Sequence, residues 1–105
     1  MPFVDQIQRD LHFQKHGQKV GAENAAQYEA LADSFMFGEM KLTMVECTRP
    51  NKIDRLRYNY SNRHFGVASV QPEHVKTFYP VPAHTVAHHG GAVLYFTYEC
   101  GRTDQ

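Results

Sequence analysis

The chain has 105 residues, enough for one domain with a single modest core and too short for two. Hydrophobic residues make up 42% and charged residues 21%, which excludes a disordered or collagen-like chain. Eleven basic and eleven acidic side chains cancel, so net charge singles out neither nucleic acid nor membrane nor an acidic substrate.

The distribution of charge says more than its sum. Residues 1–40 carry three cations against six carboxylates, whereas residues 49–63 carry Arg49, Lys52, Arg55, Arg57 and Arg63 against Asp54 alone. A basic middle after an acidic beginning can face phosphates, although a solvated charged face has the same composition. The first ten residues hold charges where a signal peptide needs an apolar stretch. The longest apolar run, residues 92–96, falls far short of the ~20 that span a membrane. A soluble chain with no export address of its own is expected. Cys47 and Cys100 are too few for a disulfide framework and too distant for a Cys-x-x-Cys site. The expectation is two reduced, partly buried thiols, with a single bridge between them left open.

In chain order, Val4, Ile7 and Leu11 recur at spacings of three and four and predict the buried stripe of a helix ending at Gly17. Asn24 with Gln27 resembles a capping box, after which Tyr28, Leu31, Ala32 and Phe35 share one helical face up to Gly38. From Lys41 the period changes to two. Strands are expected at residues 41–47, 55–60, 64–70, 74–79 and 92–99, with turns at Pro50-Asn51, Ser61-Asn62 and Gln71-Pro72 and a histidine-rich loop before the last strand. Two helices followed by hairpin-linked strands predict one α+β domain, its N-terminal helices packed on one face of a twisted antiparallel sheet of four to five strands.

Four groups of residues carry chemistry. His12 and His16 stand four apart on a helix with Lys15 beside them, offering a base, an acid and a cation in one place. Because they flank the apolar stripe, they should be partly accessible. Strand alternation puts Arg55 and Arg57 on one side of the sheet, where guanidinium groups can meet a phosphate. In Lys76-Thr77-Phe78-Tyr79 two hydroxyls project to one face. His84, His88 and His89 have a spacing compatible with a metal, but no cysteine or carboxylate within the segment completes a site.

Taken in order, His12-Phe13-Gln14-Lys15-His16-Gly17, the segment Asn24 to Phe35, Arg57-Tyr58-Asn59, His64-Phe65-Gly66-Val67, Lys76-Thr77-Phe78-Tyr79-Pro80 and the final Leu94-Tyr95-Phe96 resemble the RNase toxin domains of the barnase–EndoU–colicin–RelE superfamily. The similarity runs from about Leu11 to Phe96. It implies helices followed by a twisted sheet, and metal-independent cleavage of RNA, tRNA in particular, by attack of the neighbouring 2′-hydroxyl. It also implies a cognate immunity protein as partner, no cofactor, no membrane, a monomer, and delivery from a producing bacterium into the cytoplasm of a target cell. Matched position by position, His16 with His12 beside it, Arg57, Thr77 and Tyr79 form the catalytic set, and Lys15, Arg55 and Lys76 the substrate-binding set. The family usually reads Arg-Tyr-Asp where Asn59 stands here and Thr-Phe-Phe where Tyr79 stands, which leaves open whether the phenol takes part. Two other classes of function fit the same residues: a non-catalytic RNA- or protein-binding module of this fold, and a histidine-dependent metal-binding protein.

Overall fold

The computed structural model describes residues 2–103. Helix α1 spans Gln6–His16 and α2 spans Ala25–Phe37, separated by a 3-10 turn at Gln18–Val20. Four strands follow, β1 (Met44–Thr48), β2 (Asp54–Asn59), β3 (His64–Val70) and β4 (Glu73–Pro80), then α3 (Ala83–His88) and α4 (Ala92–Gly101). The strands form one antiparallel sheet in sequential order, so each is joined to the next by a hairpin turn.

Local chemistry sets the helix limits. The Asp5 carboxylate accepts from the Gln8 amide at 2.8 Å and opens α1, and the Asn24 side chain accepts from the Gln27 amide at 2.8 Å and opens α2. Gly17 and Gly38 end them, each amide closing back on the helix at Phe13 and Ser34.

The sheet is sandwiched. On one face α1 and α2 close over Ala68, Val75 and Phe78 with Phe3, Tyr28, Ala32 and Met36. The Tyr28 hydroxyl donates to the Phe78 carbonyl, tying α2 to β4. Beneath α2, a Cβ built on Gly66 would lie 2.5 Å from the Met36 sulfur, so a bare backbone at this position lets the helix sit close to the sheet. On the other face Leu56, Tyr58, Phe65 and Val67 pack against Val81 and against Tyr95 and Phe96 of α4. Among the described residues no helix is long and apolar enough to cross a membrane.

The α+β class and the antiparallel sheet agree with the sequence pattern; four details do not. Residues 92–99 are helix rather than a fifth strand. A short apolar run does not distinguish the two by itself, and here Gly91 opens a helix that buries Tyr95, Phe96 and Glu99 on one face. The preceding histidine-rich segment is α3, not loop. Because α4 covers the second face, helices pack on both sides of the sheet. Finally, α1 is rotated from its predicted orientation. Val4, Ile7 and Leu11 are 62%, 70% and 45% exposed, while Phe13, His12 and His16 turn partly inward. Aromatic rings on that face bury more surface than the aliphatic stripe, and Phe3 supplies a stacking partner for His12 at 5.5 Å.

Cys47 and Cys100 are joined by a disulfide from β1 to α4, against the expectation of two thiols. Leu56 pairs with Cys47 across the sheet, so the β1 sulfur lies on the face that α4 covers.

Candidate active site

Strand alternation, one irregularity and the packing of α4 build a cleft of about 240 Å³ on the α4 face of the sheet. Phe65 and Val67 form its floor, and Thr77 and Tyr79 project from β4. The register explains Lys76. Val67 pairs with Thr77 and Ala68 with Val75, leaving Lys76 as an extra residue in β4. This bulge breaks the alternation and turns Lys76 to the same cleft as Thr77 and Tyr79.

Arg49, Glu99 and Arg102 close the cleft from the side of α4. Arg49 follows β1 and is 4% exposed; its Nε donates to the Glu99 carbonyl at 2.9 Å and its Nη2 to the Glu99 carboxylate at 3.0 Å. Arg102 donates to the same carboxylate at 3.1 Å. Asp54, almost fully buried, accepts from Lys76 Nζ at 2.8 Å and stands 3.7 Å from Arg49. Burial by itself would raise the Asp54 carboxyl, but hydrogen bonds from Lys76 and Asn51 and the charges of Lys76 and Arg49 outweigh it and hold the group below its ordinary range. Among the described residues, three cations thus face two carboxylates in this cleft.

The last turn of α1 meets one lining residue of this cleft, Tyr79 of β4. The His16 imidazole stacks on the Tyr79 ring with centroids 4.9 Å apart, and His12 lies 6.0 Å from His16. Burial first, then the charges of His12, Lys19 and Lys15, lower the His16 pKa from 6.5 to about 4, so the ring is neutral at physiological pH and able to accept a proton. His12 is lowered as well, by burial and then by Lys15. The Nδ1 atoms of both rings are buried without a hydrogen-bond partner among the described residues. Tyr79 is raised, chiefly by burial, so its phenol stays protonated and can donate. Tyr95, raised by burial and by the neighbouring Tyr79 and Glu99, interacts through its hydroxyl with both and supports the wall behind the phenol.

Of the residues singled out from sequence, Thr77, Tyr79 and Lys76 therefore share the cleft, and His16 adjoins it through the Tyr79 ring. His12 stands one turn back, and exposed Lys15 acts on the imidazoles by its charge. Arg55 and Arg57 do not join them. They do share a face, but it is the α2 face, opposite Thr77 and Tyr79. Arg57 donates to the carbonyls of Phe35 at 3.1 Å and Gly38 at 2.8 Å and to Glu46 at 2.7 Å. It satisfies the carbonyls left open at the end of α2. Arg55 pairs with Glu46 at 3.4 Å and lies over the Phe37 ring. The guanidinium groups of the cleft are instead Arg49 and Arg102, which sequence reasoning missed. The missed signal was the cysteine pair, since Arg49 lies two residues after Cys47 and Glu99 immediately precedes Cys100.

His84, His88 and His89 form no ligand set; His89 packs on the rings of Tyr98 and Tyr95, and no three His, Cys, Asp or Glu side chains converge as a metal site among the described residues. No protein-family model matches the chain, and no curated protein matches it.

Proposed function

We propose that the protein is an endoribonuclease that cleaves RNA, tRNA in particular, by transesterification, and that it serves as a toxin between bacteria with a cognate immunity protein as its inhibitor. The observation that carries this reading is the stack of a neutral His16 imidazole on Tyr79, which lines a cleft together with Thr77, Lys76 and two arginines. The neutral imidazole accepts the proton of the 2′-hydroxyl as the 2′-oxygen attacks phosphorus. Lys76, Arg49 and Arg102 offset the charge of the crowded phosphate, and Thr77 donates to one of its oxygens. Tyr79 donates a proton to the departing 5′-oxygen as the P–O5′ bond breaks, leaving a 2′,3′-cyclic phosphate and a 5′-hydroxyl. The test is to expose tRNA briefly to the purified protein and sequence the new ends. Cyclic phosphate termini are expected, with His16→Ala slowing their appearance by about 10²–10⁴ at unchanged fold. Intact RNA with the wild-type chain sinks the reading.

A second reading, a non-catalytic RNA-binding module, draws on the engagement of Arg49 and Lys76 with Glu99 and Asp54. It predicts retention of RNA without new ends, and equal binding by the His16→Ala variant.

A further inference from the structure

The four-stranded sheet has two edges, and among the described residues only one of them is defended. We propose that the other, the outer edge of β1, receives an extended segment of a partner protein as a fifth strand, with a basic side chain set opposite Glu46. The inference is independent of the reading above and stands whether or not the chain cuts RNA.

The β4 edge carries several devices that discourage strand addition. The bulge at Lys76 breaks the ladder and places a lysine there. Phe3 forms a parallel bridge with Val75, whose amide donates to the Pro2 carbonyl. Helix α1 lies alongside, with His16 on the Tyr79 ring. The β1 edge has none of these. Its pairing with β2 runs without a bulge, and the strand holds neither lysine nor proline. No further strand or bridge lies beyond it among the described residues.

Backbone hydrogen bonds define what that edge offers. The Tyr60 amide donates to the Thr43 carbonyl and the Arg49 amide to the Asp54 carbonyl, both at 2.9 Å. Odd-numbered residues of this segment therefore turn their backbone groups to β2, and the even-numbered ones turn theirs outward. The Met44 amide folds back on the Lys41 carbonyl at 3.0 Å. The amides and carbonyls of Glu46 and Thr48 have no backbone partner among the described residues. Two outward pairs of groups, two residues apart, are the repeat that an antiparallel strand meets.

Charge selects the occupant. Glu46 is the one charged side chain of β1. Arg57 and Arg55 approach it from β2 and both meet Oε1, at 2.7 and 3.4 Å, leaving Oε2 without a partner among the described residues. Arg57 is held in addition by the carbonyls of Phe35 and Gly38. The native neighbour illustrates which side chains suit this strand: Arg57 stands opposite Glu46, Leu56 opposite Cys47 and Tyr58 opposite Val45. An incoming strand with an arginine or lysine opposite Glu46 repeats that pairing on the open side. A second copy of the chain fits less well. Full overlap of two β1 strands about a two-fold axis sets one Glu46 against the other, like charges directly opposite. It also crowds two α4 ends, because the Cys100 Cα lies 6.2 Å from that of Cys47 and paired strands are only about 4.8 Å apart.

The test titrates the full chain with a capped peptide copying residues 54–59 and follows backbone amides by NMR. Before peptide is added, the Glu46 and Thr48 amides should exchange at least about tenfold faster than those of Val45 and Cys47. With peptide, the signals of Glu46 and Thr48 should shift and their exchange should slow. A peptide with both arginines replaced by glutamate should bind roughly five- to tenfold more weakly. Thr48→Pro removes one outward N–H and leaves the bonds to β2 in place. It should keep the thermal transition and weaken the peptide by about tenfold. Methylating the peptide nitrogens that face β1 makes the same test on the unaltered chain and should abolish the shifts. No binding, shifts away from β1, or equal binding by the methylated peptide overturns the proposal. A dimer that protects Glu46 and Thr48 without peptide overturns it too, and makes a second copy the occupant.

Discussion

The two faces of the sheet use the same residue types to opposite ends. On the α2 face the β2 guanidinium groups of Arg57 and Arg55 are drawn against the end of a helix and the carboxylate of Glu46, and hold the fold together. On the α4 face a bulged lysine and two arginines from outside the strands surround a cleft lined by Thr77 and Tyr79, and the His16 imidazole stacks on the Tyr79 ring. The contrast teaches that an arginine on a strand becomes structural when a helix terminus with open carbonyls docks above it. The cations of the cleft come instead from irregular positions, a bulge, a turn and a helix end, and each is paired with a carboxylate, Asp54 or Glu99.

The largest effect that would sharpen this contrast concerns the α4 face. The Cys47–Cys100 bond closes a separation of 53 residues, and chain entropy gives it a worth of about 4 kcal/mol. Replacing both cysteines by alanine should lower the urea midpoint accordingly and cut RNA cleavage further, because Glu99 and its hold on Arg49 are anchored by the neighbouring sulfur. An unchanged midpoint breaks the claim that α4 is stapled.

Next come paired variants of the two faces. Arg57→Ala leaves the Phe35 and Gly38 carbonyls without their charged donor and should cost about 2–3 kcal/mol, read from denaturant unfolding, with cleavage per folded molecule retained. Thr77→Val should do the reverse, sparing stability and lowering cleavage by about 10²–10³ if its hydroxyl stabilises the developing charge. Loss of activity without loss of stability in Arg57→Ala would dissolve the division of labour.

A smaller effect is a matter of pH. The folded His16 pKa of about 4 lies below its ordinary 6.5, so the unfolded chain binds the extra proton first as pH falls. Stability from this site is present above pH 6.5 and is lost progressively as pH drops through 6.5 towards 4. The acid limb of kcat/KM for cleavage, which reports the free enzyme, should likewise sit near 4 rather than 6.5, and a limb at 6.5 contradicts the buried base. The smallest effect belongs to α1. Ile7 is 70% exposed, so Ile7→Lys should change stability by no more than about 0.5 kcal/mol in a thermal melt.

Much of this was legible beforehand. Asn24, Gly17 and Gly38 mark helix limits by capping chemistry that operates within a few residues. The alternation in 55–60 and 64–70 announces strands because the pleat has a period of two. Residues 92–99 were misread for a reason internal to pattern reading. Ala92, Tyr95, Phe96, Glu99 and Cys100 do follow a helical period, but their apolar, aromatic composition is what strands prefer too. Half of the cleft, namely Thr77, Tyr79 and Lys76, was visible as residue types, as was His16, which stacks on Tyr79. The other half, Arg49, Glu99 and Arg102, was not, because each comes from the end of an element whose partner is set by long-range packing.

The sequence alone determined the class of fold, the end of α1, both limits of α2 and the hairpin order of the four strands, since all of these follow from interactions between near neighbours in the chain. Tertiary structure alone decided which face of the sheet each helix covers, which way α1 turns, that Cys47 meets Cys100, and hence that Arg57 serves the fold while Arg49 serves the cleft. Those outcomes depend on burying the largest aromatic surfaces and satisfying the last open carbonyls and charges, a competition settled only when distant segments meet.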